Sequence, residues 1–281
     1  MTHDRSPPAS RALAAFCAAM CFSISACTSV PLKPGASLTS YEGMAPSGST
    51  LTKARLRVES TQVLSAKTVR IVPTGTQIAS AKGIDPGELA LVRNTIDRAL
   101  CTGLSDRFVV VGPSQPADIT VRASIVDIVK TNRTAAATST VASLGASVAL
   151  PVPIPRIPIG LGGLAVEAEA VGQDGTQLTA MLWSRGANML TNKARVSEIG
   201  DAYHLSSAFG ADFSRMLVTG KDPYKGMFST PSMQKIYASL GGAPKYEACK
   251  AFGRAPGLTG LVTGPLGLPP EWIDKGAPGP R

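Results

Sequence analysis

The chain of 281 residues carries a formal net charge of +9, and 44% of it is hydrophobic against only 5% aromatic. That length suits one sizeable domain with an appendage. Lys and Arg are scattered singly and are not interleaved with aromatics, which excludes a nucleic-acid stacking platform. The basic balance reads first as solubility, and second as attraction to anionic lipid head groups or an acidic polymer.

The opening segment sets the address. Arg5 and Arg11 precede or enter an uncharged, Ala-rich run over residues 13–24, and Ile24, Ser25 and Ala26 lead into Cys27. A positive start, a short apolar run and a pair of small residues describe a secretory signal peptide, and the run is shorter than the roughly 20 apolar residues of a membrane span. With cysteine after the small pair, the segment resembles a bacterial lipoprotein signal, matched one for one at those four positions. The resemblance implies a signal peptide over 1–26, cleavage before Cys27, and lipidation of that sulfur, so that a lipid bilayer is the partner held through Cys27. Thr28, standing where an aspartate would signal retention, implies the bacterial outer membrane, with the domain facing the periplasm. Without this leader the remaining cysteines are Cys27, Cys101 and Cys249. In an oxidising compartment Cys101 and Cys249 are a candidate disulfide, the alternative being two buried thiols.

Residues 27–50, rich in Pro, Gly, Ser and Thr, read as a flexible tether whose one docking point is Tyr41 and Met44. An αβ domain is expected over 51–221. Alternation in 52–63, with Lys53, Arg55 and Arg57 against Leu56 and Val58, reads as a strand at a sheet edge. Val69, Arg70, Ile71 and Val72, stopped by Pro73, read as a central strand. Asp85 as N-cap, Pro86 at the first helical position and Glu88 closing a capping box open a helix. Leu89, Val92, Ile96 and Leu100 form its apolar face, Arg93, Asp97 and Arg98 its wet side, and Gly103 its end.

Residues 108–111 read as a strand buried on both faces. The stretch 118–131 alternates until Val126 and Ile128 shift the phase by one, which predicts a bulge. Residues 164–171 and 178–183 flank Asp174 and Gly175, a hairpin signal. Glu167 and Glu169 fall on the face opposite Val166 and Ala168, which reads as the wet side. A second helix is predicted over 201–219, with Ala202, Leu205, Phe209 and Phe213 in register. Residues 222–281 form a Pro- and Gly-rich C-terminal tail, irregular apart from a short helix over 232–240.

Between the long strand and the hairpin, residues 134–165 carry one charge, Arg156, with prolines at 151, 153, 155 and 158. This insert reads either as a loop or short helix packed on the domain, or as an apolar arm that enters a membrane, a partner or a second copy.

The order tether, strand, helix, strand, long strand, insert, hairpin, helix, with the approach segment 38–41, the strand ending at Pro73 and the 160–183 run turning at Asp174 and Gly175, is similar to domain-of-unknown-function family 3313, uncharacterised bacterial outer-membrane lipoproteins. The likeness spans residues 36–220, and the tail from Tyr224 departs from it. It implies an α+β, two-layer fold: a mixed or antiparallel sheet with helices on one face and a long insert between two strands. The architecture also resembles small αβ domains of other envelope lipoproteins, including the curli-secretion pore subunit and accessory subunits of envelope transport systems, which work by assembly.

Catalytic chemistry finds no motif. His204 is the one histidine after the leader, and there is no Gly-x-Ser-x-Gly elbow, His-Glu-x-x-His, phosphate loop, Cys-x-x-Cys or cluster of metal ligands. Glu167 and Glu169, about 7 Å apart by strand rise, are the carboxylate pair compatible with acid/base work, and read first as solvation of an exposed face. The expectation is a lipid-anchored, non-enzymatic structural or interaction component of the envelope, with no cofactor, no metal and no nucleic acid, and with an envelope protein or a second copy as partner. The alternatives are an assembly or pore-type subunit using the 134–165 arm, and a weak hydrolase or small-ligand binder using Glu167 and Glu169.

Overall fold

The structure, a computed structural model, describes residues 30–77, 83–147, 160–188, 195–226, 231–264 and 266–278. The leader, Cys27 and the proline-spaced middle of the insert lie outside the described residues. In chain order the domain runs β1 (Ala45–Gly48), β2 (Thr52–Val58), α1 (Ser60–Ser65), β3 (Thr68–Ile71), β4 (Gly75–Thr76), α2 (Pro86–Leu104), β5 (Val109–Val111), β6 (Ile119–Val129), α3 (Arg133–Ser147), β7 (Gly163–Gly172), β8 (Gln177–Gly186) and α4 (Gly200–Thr219). The tail adds α5 (Met233–Ser239), a 3₁₀ turn (Glu247–Phe252), α6 (Gly257–Thr263) and α7 (Pro270–Ile273).

The β7–β8 hairpin is the sheet's centre, and its turn explains why. Gly175 sits at φ +84°, a left-handed conformation that glycine adopts without strain. Asp174 Oδ1 accepts from the Thr176 N–H at 3.0 Å, and that bond holds the carboxyl below its usual range. The eight strands form one sheet in the order β1-β2-β8-β7-β6-β3-β5, with β4 also on β6. Pairing is antiparallel except where β3 meets β5 and β6 and where β4 meets β6, so the sheet is mixed and the fold is α+β. The phase shift in β6 is a real irregularity: its register with β7 slips between Ile125 and Asp127.

Several expectations are corrected. β2 is not an edge, because β1, taken from the supposed tether, pairs outside it with Ala45 opposite Leu56. β5 is not buried on both faces; it is the far edge, and Val109 is 46% exposed. Gly103 does not end α2 but lies within it, where a Cβ would come within 2.5 Å of Ser214 on α4. Gly210 makes the reciprocal approach, 2.4 Å from Ala99 Cβ. Both positions let α2 and α4 lie close together on one face of the sheet. Beneath them Trp183, Phe209 and Phe213 stack, with Trp183 edge-on to Phe209 at 5.6 Å.

Asp85 caps α2 by accepting from Gly87 N and Glu88 N at 2.8 and 3.2 Å. Glu88 instead takes a bond from Arg133 at 3.2 Å, on the first turn of α3. Asp97 and Arg98, expected in water, are buried. Asp97 accepts from Thr74 N at 2.9 Å, and Arg98 pairs with Asp274 in the tail. A helical wheel assigns them to solvent because it cannot see Thr74 arriving over Asp97 or the tail over Arg98.

The tail is accordingly built rather than irregular. Cys249 and Phe252 are buried, and Cys249 is joined to Cys101, 148 residues earlier, with Cα atoms 5.8 Å apart. The insert begins as α3, with Ala136 buried, and returns through buried Leu161, so both of its ends pack on the domain. Among the described residues, no helix is long and apolar enough to cross a membrane.

Two measurements follow from this packing. Closing so long a loop is worth at most about 5 kcal/mol by chain entropy. Reduction, or Cys249→Ser, is therefore expected to lower the melting temperature, and alkylation is expected to label Cys101 only after reduction. Glu88 is pushed up to about 7, by burial first and then by neighbouring Glu271, with Arg133 opposing. Asp97 is pushed up to about 6 by burial, against its bonds from Thr74. Both carboxyls hold a proton more tightly folded than unfolded. Their contribution is complete below the unfolded carboxylate range and is lost as pH rises through about 6 and then about 7. Urea midpoints at pH 5 and pH 8 are expected to differ less in Glu88→Gln than in the parent chain.

Candidate functional site

Along β7 the side chains alternate, as period two requires. Leu164, Val166, Ala168 and Ala170 enter the main core beneath the helices. Glu167 and Glu169 point to the other face, as the alternation predicted. That face is not wet: Glu167 is 0% exposed and Glu169 1%. Residues 30–44 cross it as a strap, with Val30, Leu38 and Met44 buried. Leu38 and Met44 pack on Ala180 and Leu182 of β8 in a second, smaller core flanked by Leu32 and Tyr41. The flexible-tether reading of 27–50 therefore fails for its described part. Tyr41 and Met44 are docking points, but among many.

The strap is held by the two carboxylates. Glu167 Oε2 accepts from Gly35 N at 2.9 Å and from the Tyr41 hydroxyl at 2.8 Å. Glu167 Oε1 accepts from Ser37 N at 2.6 Å and from the Ser37 hydroxyl. Glu169 Oε2 takes Thr39 N at 2.7 Å and Gln177 Nε2 at 2.8 Å. Its Oε1 takes the Thr39 hydroxyl at 3.1 Å and faces Arg122 Nη1 at 3.6 Å. Every carboxylate oxygen thus has two partners. Donors come from positions 35, 37, 39 and 41, every second residue of a strap that bends at Ala36, whose φ of +62° is left-handed.

Close fit accompanies the bonding. A Cβ at Gly35 would come within 2.7 Å of Val126 Cγ2 and 3.0 Å of Glu167 Oε1, so only glycine brings the backbone down to the carboxylate. Val126 is the residue at the β6 register slip, which places the bulge directly under the strap. Tyr41 has its phenol pushed up, by burial first and then by its bond to Glu167.

Two ionised carboxylates in an apolar face cost several kcal/mol each unless bonded, and charge-assisted bonds return about 1.5–3 kcal/mol apiece. Strap and glutamates therefore need each other. The same saturation bears on chemistry: with all four oxygens engaged, the pair offers no open position to a substrate proton or a cation. Among the described residues no three His, Cys, Asp or Glu side chains gather as a metal site.

The other expected residues lie elsewhere. His204 is on α4, far in the fold from the glutamate face, and lines a cavity of about 540 Å³ between the outward side of α2 and α4 and the tail. Cys101 and Cys249 lie at the wall of that cavity. Sequence reasoning found Tyr41 as a docking point but missed the strap donors Gly35, Ser37 and Thr39. The available signal was two acidic residues inside a strand whose other positions are apolar or small, facing a segment with hydroxyls or glycine at every second position.

Glu167→Ala leaves four donors without an acceptor and is expected to cost about 3–5 kcal/mol. Tyr41→Phe is expected to cost about 1 kcal/mol. Urea denaturation measures both, and hydrogen exchange at the Ser37 and Thr39 amides is expected to quicken as the strap loosens, most in Glu167→Ala.

The geometry can now be set beside known proteins. No curated protein sequence matches the chain. Among solved structures, a PelC dodecamer from Paraburkholderia phytofirmans with one Leu-to-Met substitution is similar at 9% identity and a TM-score of 0.35, covering 60% of this chain and 98% of that one. A second PelC dodecamer from the same organism, in another crystal form, has 9% identity and a TM-score of 0.37, covering 61% and 99%. Likeness at that level carries no functional assignment. A family model described as "Protein of unknown function (DUF3313)" matches residues 34–213, from inside the strap to α4, both glutamates included and the tail excluded. The chain belongs to the DUF3313 family.

Proposed function

We propose that this protein is a lipid-anchored lipoprotein of the bacterial outer membrane, facing the periplasm, and that it acts as a non-enzymatic structural or interaction component there. The leader pattern ending at Cys27 supports the anchor. The saturated Glu167 and Glu169 carboxylates support a structural role for the acidic pair over a catalytic one.

The observation that carries the reading is that Val30, three residues after Cys27, is already fixed to the sheet. Val30 is 2% exposed, and its carbonyl accepts from the Ser184 hydroxyl at 3.2 Å. From Val30 back to Cys27 is three residues, which span at most about 10 Å. A lipid on Cys27 therefore holds the domain directly against the bilayer, in place of the long leash that the composition of 27–50 suggested. The clasp transmits that attachment to the central hairpin.

A specific contact favours a second reading alongside the first. A Cβ at Gly163 would come within 2.2 Å of Val30 Cγ2, so the strap starts where β7 starts. The insert leaves and returns at the same end of the sheet: Val129 pairs with Gly163, and Asn132 N donates to the Gly160 carbonyl at 2.8 Å. Anchor and insert thus share one end, which suits an assembly subunit whose 134–165 arm meets the membrane or a neighbouring protein.

Cys27→Ala tests the anchor. The variant is expected in the soluble periplasmic fraction or as unprocessed precursor. Recovery of processed variant with membranes would overturn the reading.

A further inference from the structure

The geometry points to the cavity between the helix pair and the tail as a binding site for a single-chain anionic amphiphile, with its acyl chain in the cavity and its carboxylate or phosphate head on Arg195. The site is separate from the glutamate clasp and does not rest on the anchoring proposal.

Volume is the first observation. At about 540 Å³ the cavity falls in the range of small-molecule sites, roughly 300–1,000 Å³. Small residues line both walls: Thr102, Ser207 and Ala211 from the helices, and Gly242, Gly257 and Gly260 from the tail, where a Cβ would meet the tail's own Tyr237, Leu240 and Pro256. The inner sides of the same helices are packed until glycine is required, at Gly103 and Gly210. Protein interiors close such gaps unless something fills or props them.

The second observation is that the walls are held apart. Cys249 bonds to Cys101 at one place. At another, Arg98 Nη1 donates to Asp274 Oδ1 at 3.0 Å, and the Tyr203 hydroxyl donates to Asp274 Oδ2 at 2.6 Å. Fixed at both, the tail bows outward between them and cannot settle onto the helices. The site is preformed.

Charge supplies the third. Of the cations lining the cavity, Arg98 is neutralised by Asp274 and Lys235 by Asp106 at 2.7 Å, while Arg254 is exposed to solvent. Arg195 forms no ion pair within 4.0 Å among the described residues. One of its N–H groups donates to the Leu268 carbonyl at 3.3 Å, and its guanidinium lies 5.7 Å from the centre of the Tyr203 ring. Burial lowers the pKa of Arg195, with Tyr203 and Glu271 opposing, as expected of a cation short of counter-charge. An anionic head group beside it supplies that charge and accepts in a planar fork. The apolar remainder of the wall suits a hydrocarbon chain.

The test uses the chain from Cys27 onward, without the leader, expressed in an oxidising cytoplasm so that Cys27 stays unmodified while Cys101 and Cys249 pair. Calorimetric titration with dodecanoate, dodecyl phosphate and dodecanol, each below its micelle concentration, reads the affinity. Saturable binding of either anion is expected, with dodecanol weaker by about tenfold, the size of one charge-assisted bond. Preference for dodecanoate identifies a fatty-acid type of ligand, and preference for dodecyl phosphate a phospholipid type. Arg195→Gln is expected to remove the difference between anion and alcohol, while Arg195→Lys retains part of it. Ala211→Leu, at an exposed helix position facing the cavity, is expected to abolish binding of all three at an unchanged melting temperature. Equal affinity for dodecanol and both anions, no saturable binding of either anion, or undiminished binding in Ala211→Leu would each overturn the proposal.

Discussion

A carboxylate buried on a sheet face is unstable alone, and here two of them stand side by side on the central strand of the fold. Each is tolerable only because the strap brings backbone N–H groups and hydroxyls to it. The strap in turn has few apolar side chains of its own, chiefly Val30, Leu38 and Met44, and would not stay on the sheet without acceptors beneath it. The consequence is a domain covered on both faces: helices over one, the strap over the other. Every neighbouring detail serves that contact, including Gly35, the bulge at Val126 and the edge strand β1 that continues from the strap.

This arrangement turns an N-terminal segment into part of the domain. Under the proposed anchoring, a lipid on Cys27, three residues before Val30, would be attached mechanically to the β7–β8 hairpin. Because the insert departs and returns at the same end of the sheet, whatever met the proposed anchor would also meet the insert, and strand register would then set the orientation at the membrane.

The opposite face is organised by the tail, through one covalent joint and one buried ion pair. Both attach to α2, Cys101 and Arg98 lying one turn apart on the same side of that helix. Holding a glycine-rich segment at these points leaves space that free packing would have closed. The family resemblance stops at residue 213, so the cavity's outer wall belongs to the part of the chain that the family does not describe.

What the sequence by itself determined is local. The α2 cap at Asp85, the hairpin turn at Asp174 and Gly175, the phase slip in β6 and the register of α4 depend on contacts within a few residues, and all were legible from periodicity and turn chemistry. The α+β layering and the family were legible from element order for the same reason. Only the tertiary structure decided burial. Glu167, Glu169, Asp97 and Arg98 are charged residues at positions that face outward from their own strand or helix, and local pattern assigns such positions to water. Two distant segments, the strap some 130 residues upstream of the glutamates and the tail some 176 downstream of Arg98, arrive to cover three of them, and Thr74, 23 residues upstream, covers Asp97. Composition reads both segments as flexible because Pro, Gly and Ser are also what a chain needs to turn sharply and lie close against a surface. The difference lies in the acceptors beneath, which no local window contains.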